Sequence, residues 1–265
     1  MMSEKPRSVK LTVLVDYRAR HSRLRTEFRG STHPGAVGLA LFLDLEYDSC
    51  SEYVLVDTSR DWRNLTHNAS VLDVDLSKVS TIVITHWHID HYGALPKLVT
   101  SICPGARVYG PILTSRAGEV LRRQGISSRE VVTRIKGSTE LMPGFFVLRP
   151  LLTDEPNLLE IPILIELSSG TTVLITGCFH YNVEDLRGVV SQVLGRDEVT
   201  YLIGGLHLVY GTPEIAKQKV LKLREFTGAI CPLHCSGDVG IEVCRKVFGS
   251  KVIELLCGDT LSIGD

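Results

Sequence analysis

A chain of 265 residues, 44% hydrophobic and 22% charged, has the composition of an ordinary globular protein and can bury a sizeable core. Its formal net charge of −1 excludes a global pull toward nucleic acid or anionic membrane. The longest apolar run, Ala36 to Leu43, stops at Asp44 and is too short to span a bilayer, and the charged start MMSEKPRSVK has no apolar stretch behind it.

A cytoplasmic setting is therefore expected. The seven cysteines are odd in number and scattered, which argues against a disulfide framework. Cys103, Cys244 and Cys257 read as buried small hydrophobes. Asparagine occurs only at 64, 68, 157 and 182 and glutamine only at 124, 192 and 218, a depletion that fits a protein from a hot environment.

In chain order, SVKLTVLVDY (8–17), AVGLALFLDLEY (36–47) and EYVLVDT (52–58) read as neighbouring strands. VSTIVIT (79–85) is a short, unbroken apolar strand of the buried kind. YGALPKLVTSI predicts a short helix, ARVYGP a strand and SRAGEVLRRQ a helix. EIPILIELSSGTTVLITG predicts a hairpin turning at SSGT. YNVEDLRGVVSQVLG then predicts a helix and VTYLIGG a strand. TPEIAKQKVLKLREF starts as a helix should, with Thr212 to cap, Pro213 in the first turn and Glu214 facing the dipole. GAICPLH predicts a strand, SGDVGIEVCRKVFG a helix stopped by Gly249, and KVIELLC a last strand. No linker or repeat interrupts the order, so one domain over 1–265, two sheets covered by helices, is expected.

The strand VSTIVIT runs straight into THWHIDHYG. His86 and His88 alternate on extended backbone and can face one side, while Asp90 and His91 follow as the chain turns. Neutral imidazoles with a carboxylate suit zinc, iron or nickel, and the spacing starts two adjacent sites. A chance histidine patch and a closed structural zinc site are the alternatives.

HWHIDH is the His-x-His-x-Asp-His signature, and in it the chain resembles the metallo-β-lactamase superfamily. The preceding VLVDT resembles that family's Asp-Thr-Gly strand end, with Ser59 in the glycine position. LITGCFH (174–180), IGGLHL (203–208) and CPLHCSG (231–237) resemble, in order, segments of one branch. Its members carry the label 7,8-dihydropterin-6-methyl-4-(β-D-ribofuranosyl)aminobenzene-5′-phosphate synthase-like, or metal-dependent hydrolase. The resemblance implies an α/β fold, an αββα four-layer sandwich of two mixed sheets flanked by helices. It implies one or two divalent metal ions at the sheet edge, zinc favoured and iron or manganese as alternatives.

Carried over by the resemblance, His86 and His88 hold one metal, Asp90 and His91 the other, and His234 joins the second. Asp57 orients ligand histidines. Cys178 stands where most of the family has a bridging aspartate, and is either a soft ligand or pocket lining, with His180 supplying a ligand two residues on. His207 binds metal, orients substrate, donates a proton or is structural, and Asp90 is also a candidate to accept or relay a proton. The family's histidine upstream of the Thr-Gly strand is missing, and LLTDEPNLLEIP offers Asp154, Glu155 and Glu160 instead. Cys231 reads as strand core and Cys235 as a pocket neighbour.

One local basic run, DYRARHSRLRTEFRGSTHPG (16–35), contributes Arg23, Arg25, Arg29 and His33 as candidate contacts to a substrate anion, or is a solvated loop. The leading expectation is a hydrolase using metal-activated hydroxide on a small anionic ester or phosphoester. A lyase or synthase acting on a phosphorylated pterin precursor and a non-catalytic metal-bound sensor are the alternatives. The expected partner is a small molecule, with no membrane, no nucleic acid, and self-association left open.

Overall fold

The computed structural model describes residues 4–127 and 131–264. Fifteen strands are described among these residues: β1 (Ser8–Val15), β2 (Ala40–Glu46), β3 (Ser51–Val56), β4 (Thr81–Val83), β5 (Arg107–Gly110), β6 (Val132–Arg134), β7 (Thr139–Met142), β8 (Phe145–Val147), β9 (Leu151–Leu152), β10 (Leu159–Glu160), β11 (Ile163–Glu166), β12 (Thr172–Thr176), β13 (Val199–Gly205), β14 (Thr227–Leu233) and β15 (Thr260–Gly264).

Of these, β9 and β10 pair with each other as a separate antiparallel ribbon, and the other thirteen form two mixed sheets. One has the order β15-β1-β2-β3-β4-β5-β6 and the other β14-β13-β12-β11-β8-β7. In the first, β15 to β3 pair antiparallel and β3 to β6 parallel. In the second, β12, β13 and β14 are parallel and the rest antiparallel. The sheets face each other across one core that takes Leu41, Leu43 and Val56 from the first and Ile163, Ile175 and Ile203 from the second. The outer face of the first sheet packs on the helices Trp62–Val71 and Ser115–Arg123. That of the second packs on Val183–Leu194, Pro213–Arg224 and Gly237–Phe248. The α/β expectation of helix, sheet, sheet, helix is what the chain forms. Among the described residues no helix is long and apolar enough to cross a membrane.

The cap at Thr212 forms, its side chain accepting from the Ile215 N–H. The hairpin across SSGT forms as β11 and β12, Ile163 opposite Ile175. Two expectations need correction, and one helix was not anticipated. The run 36–47 begins as a helical turn, Pro34–Val37, because Pro34 presets φ and His33 caps Gly35, so the strand starts only at Ala40. KVIELLC is not a strand: it makes single bridges, Val252 to Ile230 and Cys257 to Ala19, and buries Leu255 between the sheets. The last strand is β15, which pairs with β1 instead. The helix Trp62–Val71 is absent from the sequence expectations because its buried face is Leu65 and Ala69 interleaved with Asn64 and Asn68, which breaks the apolar period.

The topology brings strand ends to one edge. The chain leaves β1 at Asp16, β3 at Asp57, β4 toward His86, β12 toward Cys178, β13 toward His207 and β14 at His234. Close backbone approach holds this edge together. Gly38 has φ +97°, and a Cβ there would collide with the Asp90 carbonyl oxygen. Gly38→Ala is expected to destabilise the protein by more than about 2 kcal/mol, read as a lower urea midpoint, because the backbone carrying Asp90 has no flexible atom to give way.

Candidate metal centre

His86, His88 and His180 each place a ring nitrogen within 4.8 Å of the others'. Asp90, His91 and His234 do the same with a carboxylate oxygen and two ring nitrogens. Cys178 lies between the two triads, its Sγ grouping with His86 and His91 on one side and with His180 and His207 on another. The structure thus brings together all seven residues expected to hold metal. A cavity of about 340 Å³ opens over them, lined by His88, Asp90, Cys178, His180, His207 and His234.

His91 is fixed from behind. Asp57 leaves β3 with φ 56°. Its carboxylate accepts from the Thr85 N–H at 2.8 Å and from His91 Nδ1–H at 2.7 Å. That fixes the orientation of the His91 ring, with Nε2 3.3 Å from Cys178 Sγ. Burial opposes a charge on His91, but Asp57 and Asp90 outweigh it and hold the ring up at about 9. Burial likewise opposes the Asp90 carboxylate, yet His91 and His234 keep it well below the usual carboxylate range. His86 is pushed well down by burial and by the neighbouring histidines, and His180 down to about 3 by burial and His207. Both rings are thus neutral, the form that carries a free lone pair for a metal.

These residues fit a metal pair. His180 is buried with neither ring nitrogen bonded to any described residue, and Nδ1 of His234 is equally unpartnered. Polar atoms held dry without partners are costly, and a cation among them removes the cost. Burial pushes the Cys178 thiol well up, so without a cation it stays protonated.

The acidic stretch 154–160 splits its work. Glu155 Oε2 lies 3.0 Å from His88 Nε2, and Asp154 and Glu155 reach to 3.7 and 3.6 Å from His180 Nδ1. Glu160 faces away from the cavity. Its Oε1 accepts the N–H groups of Gly177, Cys178 and Phe179, and its Oε2 accepts that of His180. A buried carboxylate thereby fills the nest of amides that carries Cys178 and His180. Gly177 makes room, since a Cβ there would strike Thr85 Oγ1.

His207, with φ 53°, stacks on His180 at 4.2 Å between centroids and on Tyr210 at 4.9 Å. The basic loop is placed elsewhere. Arg23, Arg25 and Arg29 are exposed and do not line the cavity, because Asn68 binds the Arg25 N–H and carbonyl and draws the loop onto the helix Trp62–Val71. Arg29 lies over the Phe28 ring at 5.1 Å. His33 is exposed at the edge, its Nδ1 spent on the Gly35 N–H at 3.2 Å.

Asp16 went unmarked in the sequence. It is fully buried, and its Oδ1 accepts the His234 N–H at 3.1 Å, fixing a residue with φ 47°. Its Oδ2 has no partner among the described residues, nor has His234 Nδ1. Burial holds the Asp16 carboxyl up at about 6. Between its unfolded value of 3.8 and 6 the folded chain binds more protons, so stability falls as pH rises through that window. Asp16→Asn is therefore expected to raise the melting midpoint of metal-free protein at pH 7. The same change should weaken zinc retention against a chelator, because a neutral amide oxygen accepts the His234 N–H less strongly than a carboxylate does. Unchanged retention would show that Asp16 does not position His234.

A sequence model of the metallo-β-lactamase superfamily matches residues 45–231. A curated relative from Methanocaldococcus jannaschii, 7,8-dihydropterin-6-methyl-4-(β-D-ribofuranosyl)-aminobenzene-5′-phosphate synthase, is 22% identical over 239 residues, 76% of this chain and 81% of its own. Among solved structures, Tm1679, described as a metal-dependent hydrolase of the β-lactamase superfamily, superposes with a TM-score of 0.72 at 20% identity, over 97% of this chain and 100% of its own. The short form of human tRNase Z superposes with a TM-score of 0.59 at 14% identity, over 95% of this chain and 98% of its own. The chain belongs to the metallo-β-lactamase superfamily and shares the fold of Tm1679.

Proposed function

We propose that the protein hydrolyses a small anionic ester or phosphoester with a pair of divalent ions, zinc favoured, held by His86, His88 and His180 on one side and Asp90, His91 and His234 on the other. One observation carries the reading: two donor triads meet at Cys178 beneath one open cavity. Histidine nitrogens with a sulfur between them suit zinc or iron better than magnesium. Ions bound there supply Lewis acidity and activate water at neutral pH.

The chain's own groups do the rest. Asp90 lines the cavity, so its carboxylate is placed to take a proton from the attacking water. His207, at the cavity wall, is placed to give a proton to the leaving oxygen. The cavity's volume of about 340 Å³ suits a small molecule.

The test is a panel of chromogenic phosphodiesters, phosphomonoesters and carboxylic esters with zinc-loaded protein. Turnover that a chelator removes and zinc restores is expected. Absence of turnover on every class overturns hydrolysis. The Methanocaldococcus jannaschii relative favours a second reading, condensation on a phosphorylated pterin precursor. Release of phosphate or pyrophosphate together with a condensed product would establish it in place of the first.

A further inference from the structure

Cys235 borders the Asp90–His91–His234 triad through His234 and belongs to neither triad. Its Sγ forms a further donor set with Cys178 Sγ and a ring nitrogen of His234, all within 4.8 Å of one another. The residue is 2% exposed and lines the cavity. The surrounding backbone prepares a place for a charged sulfur. The His207 N–H donates to Cys235 Sγ at 3.3 Å, so the sulfur already acts as an acceptor. Leu208 and Val209 both donate N–H groups to the Cys235 carbonyl at 3.0 Å, which fixes the turn. The 12-residue helix Gly237–Phe248 begins two residues on, and a helix N-terminus favours a thiolate. Gly205 leaves the sulfur its room, since a Cβ there would stand 2.7 Å from Sγ. The contact a thiolate would give up is the long donation to the Cys178 carbonyl, at 3.5 Å.

We propose that Cys235 is itself a metal ligand, a second sulfur beside Cys178, sharing His234 with the Asp90–His91 side of the centre. The proposal rests on the metal centre described under the proposed function. On loading, the sulfur–metal bond forms as the Cys235 proton leaves to solvent. Two sulfurs make that side of the centre soft, which selects zinc or iron over magnesium and manganese.

Cobalt(II) tests this without any substrate, because thiolate ligands give cobalt a charge-transfer absorption in the near ultraviolet. Cobalt-loaded Cys178→Ser is expected to keep that absorption at roughly half the wild-type strength, since one of two sulfurs remains. The double variant Cys178→Ser/Cys235→Ser should lose it while cobalt still binds through the histidines. Cys178→Ser that binds cobalt with no such absorption overturns the proposal. Should Cys178→Ser fail to fold or load, Cys235→Ser alone decides: a roughly twofold weaker absorption supports the proposal, and wild-type strength overturns it. Wild-type protein that takes up no cobalt at all would sink the metal centre itself, an outcome distinct from the loss of Cys235 alone.

Discussion

His88→Ala is expected to lower metal-dependent turnover by more than about 100-fold, beyond the 10–100-fold that losing an outer partner of a ligand costs. The metal-free variant should stay folded, losing no more than about 1–3 kcal/mol. The two expectations belong together because of where His88 sits. Its side chain is 32% exposed. Its protein contacts are ring-to-ring with His86 Nε2 at 3.1 Å and with the Glu155 carboxylate. Truncation opens no cavity in the core, though it leaves the buried His86 Nε2 without that partner. His91 would be the poorer choice for this experiment. It is fully buried, and removing it would leave the buried Asp57 carboxylate without its imidazole, so lost activity would be mixed with lost folding. Zinc content and urea unfolding measured beside turnover separate the two effects. Full turnover in His88→Ala would sink the assignment of the site.

The centre was legible where chemistry is concentrated in sequence. Three histidines and an aspartate within HWHIDH announce metal, and the apolar run before them announces the strand that aims them. The candidate ligands that arrive alone, His180 and His234, needed the family resemblance, because a single histidine at a strand end has many ordinary explanations. The supports behind the ligands were harder to see. Asp16 had a signal: β1 and β3 end in the same tetrad, Val-Leu-Val-Asp, at 13–16 and 54–57, and both aspartates are buried at the same sheet edge. The basic loop misled for a physical reason. Its charges are local in sequence, but its position is set by Asn68, a helix residue 43 positions after Arg25. KVIELLC has strand-like composition and no free ladder to join, so composition outran pairing.

Glu160 is the position where substitution should cost most stability. Its carboxylate accepts four consecutive backbone N–H groups, from Gly177 to His180, at 2.8 to 3.1 Å. All lie inside the protein, where an unmade hydrogen bond costs about 1–3 kcal/mol. Glu160→Ala leaves four such donors and a hole, and a loss of about 3–5 kcal/mol is expected, large against a total of about 5–15. Glu160→Gln separates the causes. An amide oxygen in the Oε1 place still accepts from Gly177, Cys178 and Phe179, while its NH2 opposes the His180 N–H. One conflict instead of four should cost about 1–3 kcal/mol and displace His180 in particular. Glu160→Gln should therefore remain folded at room temperature yet retain metal more weakly than wild type. Urea midpoints of the metal-free proteins and zinc retention against a chelator read the two effects apart. A wild-type midpoint for Glu160→Ala would mean that the amide nest holds its shape unaided, and that the ligand loop owes its geometry to the packing of Phe179 instead.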